Sequence, residues 1–330
     1  MQHLLNGRIA RILALGSLTI GSLAMGLNAC ADEDTSGRVT VSGISSGAYA
    51  AVQSHVALSN TISGAAAIAG GPYHCAEGNI MQALGGCISG ADLDVSSLIE
   101  ATQVAASAGT IDQVAALADD RVWLFHGQAD PIVDSAVTAA LAAFYAEFVP
   151  EEAIALVDGV AVTHGWPTLD QGVACDQMGG DYINACDYDA AGEILQHLYG
   201  PLDAPGAARE GGLQLLDQAS VVPEGGSFSE SGFAYVPEDC SDDAGECRLH
   251  LAFHGCRQGS EFVEDRFAKM AGLNEWAESN RIIVLYPQVN KSMVNPQGCW
   301  DWWGYTGADY DQRSGKQVAG VAALIAAWSE

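Results

Sequence analysis

The sequence predicts an α/β fold, with a mostly parallel central sheet and helices on both faces. Short apolar, β-branched runs alternate with Ala-rich helical stretches along the chain. The pentapeptide Gly43-Ile44-Ser45-Ser46-Gly47 stands between a strand-like and a helix-like segment. Asp130 and His164 each follow an apolar run, and open α/β sheets place their sites at such strand ends.

The elements follow in order. Residues 1–31 are set apart as a leader: Arg8 and Arg11, then Ile12 to Leu27, apolar but thinned by Gly and Ser, then the small residues Ala29-Cys30-Ala31. That run is too short and too rich in Gly for a comfortable membrane span, so no transmembrane span is expected. The alternative to simple cleavage is a lipoprotein signal, Leu27-Asn28-Ala29-Cys30, with a lipid anchor on Cys30; Asn28 is unusual there, and cleavage is favoured. Either way the protein is exported, extracellular or periplasmic. Residues 32–330 are expected to form one catalytic domain, long enough for a full core.

Arg38 to Val41 reads as the first strand and Ala48 to Leu58 as a helix. Ile62 to Ile68 is a strand of small residues; helices follow at 96–107 and 111–118. Arg121 to His126 is a buried-strand run, Ser135 to Phe148 a helix, Ala153 to Val162 a strand and Ala190 to Tyr199 a helix. The second half adds strands at Phe233 to Val236, Arg248 to Phe253 and Ile282 to Tyr286. Helices are expected at 266–278 and 316–328.

Of nine cysteines, eight remain once Cys30 is set aside. Cys75 with Cys87, Cys175 with Cys186, and Cys240 with Cys247 are the least costly loops to close, leaving Cys256 and Cys299. Connectivity is not decided by spacing, but structural disulfides suit an exported chain. No Cys-x-x-Cys or His-containing cluster suggests zinc, and no metal or other cofactor is expected. The formal charge of −28 argues against nucleic acid and anionic surfaces as partners, and suits a neutral or apolar substrate. Solubility alone would also explain it.

A strand, a Gly-x-Ser-x-Gly turn and a helix are the sequence form of a nucleophile elbow. The match is weak alone in a chain with 38 glycines. Its weight comes from Asp130 and His164, which follow Ser45 in the order Ser, Asp, His used by α/β-hydrolases. Ser45 needs a base to take its proton; His164 needs a carboxylate to fix its tautomer, and Asp130 supplies one. Asp134 sits close enough to compete for that role. His254-Gly255 resembles the oxyanion strand end of an α/β-hydrolase but follows Ser45 instead of preceding it. Joining the C-terminus to the mature N-terminus restores the usual order, so the α/β-hydrolase fold is expected in circularly permuted form.

The segments GISSGAYAA, HGQADPIVD, THGWPT, LHLAFHGCRQG and NPQGCWDWWGY, in this order, resemble the single-domain, circularly permuted poly(3-hydroxybutyrate) depolymerases. The likeness runs from about Val39 to the C-terminus. It implies a secreted or periplasmic serine esterase with Ser45, Asp130 and His164 as triad. It also implies an oxyanion hole from the backbone N–H groups of Ser46 and Cys256, with Cys256 bonded to Cys299. Multi-domain members of that family add a linker and a polymer-adsorbing domain, and neither is expected here.

Trp302, Trp303 and Tyr305 are the candidate contacts to an aliphatic chain, while Trp300, beside a cysteine, is expected in the core. The expected partner is a polyester or hydroxyalkanoate oligomer, met by a monomer. Two other readings are an esterase for another carboxylic ester (feruloyl, lipid-like or synthetic) and a non-catalytic surface-binding lipoprotein.

Overall fold

The computed structural model describes residues 38–241 and 247–329. The leader expected at 1–31, with Cys30, lies outside the described residues. The first strands, β1 (Val39–Ile44), β2 (Ile62–Ile68), β3 (Arg121–Phe125) and β4 (Ile154–Val157), are apolar runs that pair in parallel. Three short strands, β5 (Trp166–Thr168), β6 (Val173–Ala174) and β7 (Ile183–Ala185), form a separate sheet in the order β5-β7-β6. β8 (Leu213–Asp217) and β9 (Ser231–Tyr235) form an antiparallel pair, followed by β10 (Arg248–Phe253) and β11 (Ile282–Tyr286). The large sheet runs β4-β3-β2-β1-β10-β11-β9-β8. β1 thus lies in the middle, paired in parallel with both β2 and β10.

Alternation along the strands divides the core between two faces. Val39, Val41, Ala65, Val122, Leu124, Leu249 and Leu251 pack with α1 (Ser46–Ala57), α4 (Val95–Ala108), α5 (Ser135–Tyr145) and α10 (Lys316–Trp328). Ala66, Ile68, Trp123, Phe125, Ala252 and Val284 pack with α6 (Ala190–Tyr199), α8 (Arg266–Met270) and α9 (Leu273–Asn280). Helix α1 is buried on every side. Its Ala, Gly and Ser residues let it approach the sheet closely, while its larger buried side chains Tyr49, Gln53 and His55 each have a hydrogen-bond partner.

The structure departs from the sequence expectation in five places. The helix expected at 266–278 is two helices, because Gly272 adopts φ 80° between α8 and α9. Residues 114–119 form a 3₁₀ turn instead of an α-helix over 111–118. β4 stops at Val157, five residues short of the expected end. The next residues instead bind the loop after β3: Gln128 N donates to Val160 O (2.9 Å) and Ala129 N to Val162 O (3.1 Å). The small sheet and β8 had no strong apolar alternation to announce them. The short helix α2 (Ile80–Leu84) lies inside the Cys75–Cys87 loop and α3 (Gly86–Ser89) spans its end, with α7 (Ser260–Val263) after β10.

Candidate active site

Ser45 sits between β1 and α1 with φ 56° and ψ −121°, a conformation that costs a non-glycine residue about 1–3 kcal/mol. The neighbouring glycines are required by contact. A Cβ on Gly43 would collide with the Gly47 carbonyl, and one on Gly47 with the Phe253 and His254 carbonyls at the end of β10. Ser45 N donates to Ile68 O (2.9 Å), which ties the turn to the end of β2. Tyr49 N donates to Ser45 O (3.1 Å), so the amides of Ser46 and Gly47 precede the first helical bond and are free to face a ligand.

Asp130 and His164 meet through the pairing of their loops. His164 Nδ1 lies 2.8 Å from Asp130 Oδ2, with the carboxylate almost fully buried. Asp130 Oδ1 accepts from Ile132 N (2.8 Å) and Val133 N (3.1 Å). Burial alone would push this carboxyl up, but the hydrogen bond and charge of His164, with those two amides, hold it below the usual carboxylate value. Asp134, the competing acid, instead caps α5 by accepting from Ala136 N (2.9 Å). His126 Nε2 braces the acid loop at Val133 O (2.9 Å). On the other side, the His164 loop rests on the small sheet, where Asn184 Nδ2 donates to Ala174 O and Gln177 O. The Cys175–Cys186 bond closes that segment.

The His-Gly loop reaches the same place. A Cβ on Gly255 would lie 3.5 Å from Ser45 Cβ and 3.4 Å from Ile44 O, which sets Cys256 beside the elbow. Gln258 fixes this loop: its Oε1 accepts from Gly255 N (2.8 Å), and its Nε2 donates to Asp181 O and Tyr182 O. The Cys256–Cys299 bond then ties it to the Trp-rich loop; the three local disulfides are Cys75–Cys87, Cys175–Cys186 and Cys240–Cys247.

Ser45, Ser46, His164 and Cys256 all line one cavity of about 400 Å³. Its walls are chiefly apolar: Ile80 and Leu84 from the Cys75–Cys87 loop and Ile88 just after it line the cavity with Trp302, Trp303 and Val294. Trp300 is fully buried on Phe253, as expected of a core residue. Trp302 and Trp303 reach the cavity by different means. Trp302 is nearly buried and stacks on Tyr49 with centroids 4.6 Å apart, whereas Trp303 is half-buried. Tyr305 corrects the expectation of a direct contact. It is not among the cavity-lining residues; its hydroxyl turns inward, donating to Cys299 O (2.9 Å), and its ring backs Trp303.

Two contributors were not expected from the sequence. Tyr49 forms the cavity floor beneath Trp302, its hydroxyl donating to Cys87 O (2.6 Å). Asp301 organises the Trp loop. Its buried carboxylate accepts from Gly304 N (2.7 Å), Tyr305 N (2.9 Å), Thr306 N (2.7 Å) and Thr306 Oγ1 (2.6 Å). The sequence Asp-Trp-Trp-Gly-Tyr-Thr, a carboxylate ahead of four closely following donors, is the form in which that turn could have been read.

Known proteins resemble this chain in sequence and in fold. The chain is 31% identical to a polyhydroxybutyrate depolymerase of Talaromyces funiculosus, over 96% of each chain. It belongs to the polyhydroxybutyrate depolymerase family. A poly(3-hydroxybutyrate) depolymerase of Delftia acidovorans is 39% identical over 94% of this chain. This chain spans 64% of that relative's length. Two solved depolymerase structures superpose with TM-scores of 0.83 at 30% identity, covering 89% of this chain and 96% of theirs. One is the enzyme of Penicillium funiculosum; the other is a serine-to-alanine variant complexed with an R3HB trimer. No protein-family model matches the chain.

Proposed function

We propose that this depolymerase-family chain is an exported serine esterase that hydrolyses poly(3-hydroxybutyrate) or a similar aliphatic polyester. The observation that carries the reading is the Asp130–His164 pair, 2.8 Å apart, opening onto the same apolar cavity as the strained Ser45. The relatives named for polyhydroxybutyrate supply the substrate class, and four disulfides suit an oxidising compartment. One continuous sheet supports a single catalytic domain. The order β10, β11, α10, β1, α1, read across the joined termini, supports the circular permutation.

With Asp130 holding the Nδ1 proton, His164 Nε2 is the basic nitrogen. It takes the Ser45 Oγ proton as the oxygen bonds to the ester carbonyl carbon. The developing oxyanion is met by the N–H groups of Ser46 and Cys256, the former at the positive end of α1. Collapse breaks the C–O ester bond, and imidazolium gives its proton to the leaving alkoxide oxygen. A water molecule, deprotonated by His164, then attacks the acyl-enzyme; the acid departs and Ser45 regains its proton. Trp303 holds the neighbouring monomer units against the apolar wall, and Trp302, stacked on Tyr49, forms the floor beside it.

Clearing of a polyhydroxybutyrate film, run beside a short-chain nitrophenyl ester, tests the reading. Hydrolysis of both supports it. Activity on the soluble ester alone indicates another ester as substrate, and inactivity on both indicates a binding protein.

A further inference from the structure

Arg257 is the only Lys or Arg among the residues lining the cavity, and it directly follows Cys256. Its backbone is pinned twice: its N–H donates to Gln297 O (2.7 Å), and the adjacent Cys256 is bonded to Cys299. Its φ of 59° is a conformation that glycine would adopt more readily, yet a long cationic side chain stands there. Four exposed cations elsewhere pair with carboxylates, Arg266 with Asp181, Lys269 with Asp265, Lys291 with Glu261 and Arg313 with Asp112, and none of these four lines the cavity. Among the described residues the Arg257 guanidinium has no ion-pair or hydrogen-bond partner. The guanidinium is solvent-exposed at the rim of an apolar cavity that holds no other cation, so in a chain of net charge −28 it is the one lining group able to attract an anion to that cavity.

We propose that Arg257 binds the free carboxylate of a short hydroxyalkanoate oligomer, making acid-terminated chain ends preferred substrates. This deepens the esterase reading and rests on it. The chemistry of the oligomer decides the side. In a chain of hydroxy acids, the free carboxylate always terminates the half that leaves as the alcohol. Arg257 therefore acts on the leaving group, beside the oxyanion donors, and pulls an anion into a mouth that the rest of the protein's field repels. The fork of a guanidinium matches a carboxylate with two parallel N–H bonds, and the pinned backbone leaves little of its position to be ordered on binding. A neutral internal segment of polymer gains nothing from it, so the residue sorts chain ends from chain middles.

The test compares a 3-hydroxybutyrate trimer with its methyl ester, which lacks only the charge. The readout is the ratio of kcat/KM for acid over methyl ester within each protein: wild type, Arg257→Gln and Arg257→Lys. The ratio should fall about tenfold in Arg257→Gln, mostly through KM for the acid, and fall less in Arg257→Lys. High salt should lower the wild-type ratio and leave that of Arg257→Gln unmoved. An Arg257→Gln ratio equal to wild type would overturn the proposal. If wild type cleaves neither trimer, the esterase reading fails separately, and calorimetric binding decides Arg257. Acid bound about tenfold more weakly by Arg257→Gln upholds it, and equal binding overturns it.

Discussion

Truncating the two cavity tryptophans should give opposite signatures, because they are held differently. Trp302 belongs to a small buried cluster with Tyr49, Cys75, Ala76, Ala83 and Cys87. Its ring is stacked on Tyr49 at 4.6 Å and edged by Trp303 at 5.8 Å. Trp302→Ala therefore opens a hole beneath the cavity, and buried aromatic truncations of this kind cost about 3–5 kcal/mol. For a chain of this size that corresponds to a fall in melting temperature of roughly 5–8 °C. Trp303 is half-buried, with Trp302 and Tyr305 as its ring neighbours at the edge of that cluster, so Trp303→Ala should cost about 1 kcal/mol of stability. Its larger effect should be on polymer. Losing one indole contact to a neighbouring monomer unit is worth about 1–2 kcal/mol, a fall of roughly five- to thirtyfold in film hydrolysis. A short nitrophenyl ester, which needs no outer wall, should be far less affected. Thermal melts and both hydrolysis assays on each variant supply the check. Equal losses on both substrates for Trp303→Ala, or an unshifted melt for Trp302→Ala, would refute this division of roles.

Ser45→Ala should abolish turnover on every ester with the melting temperature within a few degrees of wild type, and His164→Ala should be comparably severe; substantial activity in the serine variant would remove Ser45 as nucleophile. Breaking Cys256–Cys299 with a Cys299→Ser and Cys256→Ser double variant should lower kcat on the soluble ester as well as on film, because the oxyanion amide loses its tether; unchanged kcat would show that Gln258 alone suffices. Stability should fall on acidification. Burial depresses His250 to about 3 and His254 to about 4. Their neutral forms are thus favoured when folded, and the associated stability is lost from about pH 6.5 downward as the unfolded chain takes up protons, on the order of 2 kcal/mol per histidine by pH 5. His74, raised by its hydrogen bond to Asp311, acts with the opposite sign: its contribution is present below that pH and is lost as pH rises through its folded value. Urea unfolding across this range, with no net decline toward acid, would contradict the balance.

Local patterns announced the core of this fold well. The apolar runs of β1, β2, β3, β10 and β11 and the helices α6 and α10 need only sequence neighbours to be recognised, and each lies where its pattern placed it. The turn at Ser45 was equally legible, since Gly43 and Gly47 mark a close approach even before the colliding carbonyls are known. The boundaries that failed have a common cause. β4 ends early because residues 158–162 turn away to bind the acid loop, a partner more than thirty residues distant along the chain. The choice between Asp130 and Asp134 was likewise non-local: each is an acid before a helix, and only the position of the His164 loop makes one a partner and the other a cap.

The sequence by itself determined the alternation of strands and helices, the Ser-Asp-His order and the cysteine inventory, because these depend on residue type and short spacing. Only the tertiary structure decided which tryptophan is floor and which is wall, that Tyr305 faces inward, and that Asp301 shapes the loop carrying them. It also decided that Arg257, one basic residue in a long acidic chain, lines the cavity with no ion pair among the described residues. The physical reason is that burial and charge pairing are properties of surroundings. The surroundings of this cavity come from the Cys75–Cys87 loop, the end of β10 and residues 294–303, which are distant in sequence and meet only when the sheet has formed.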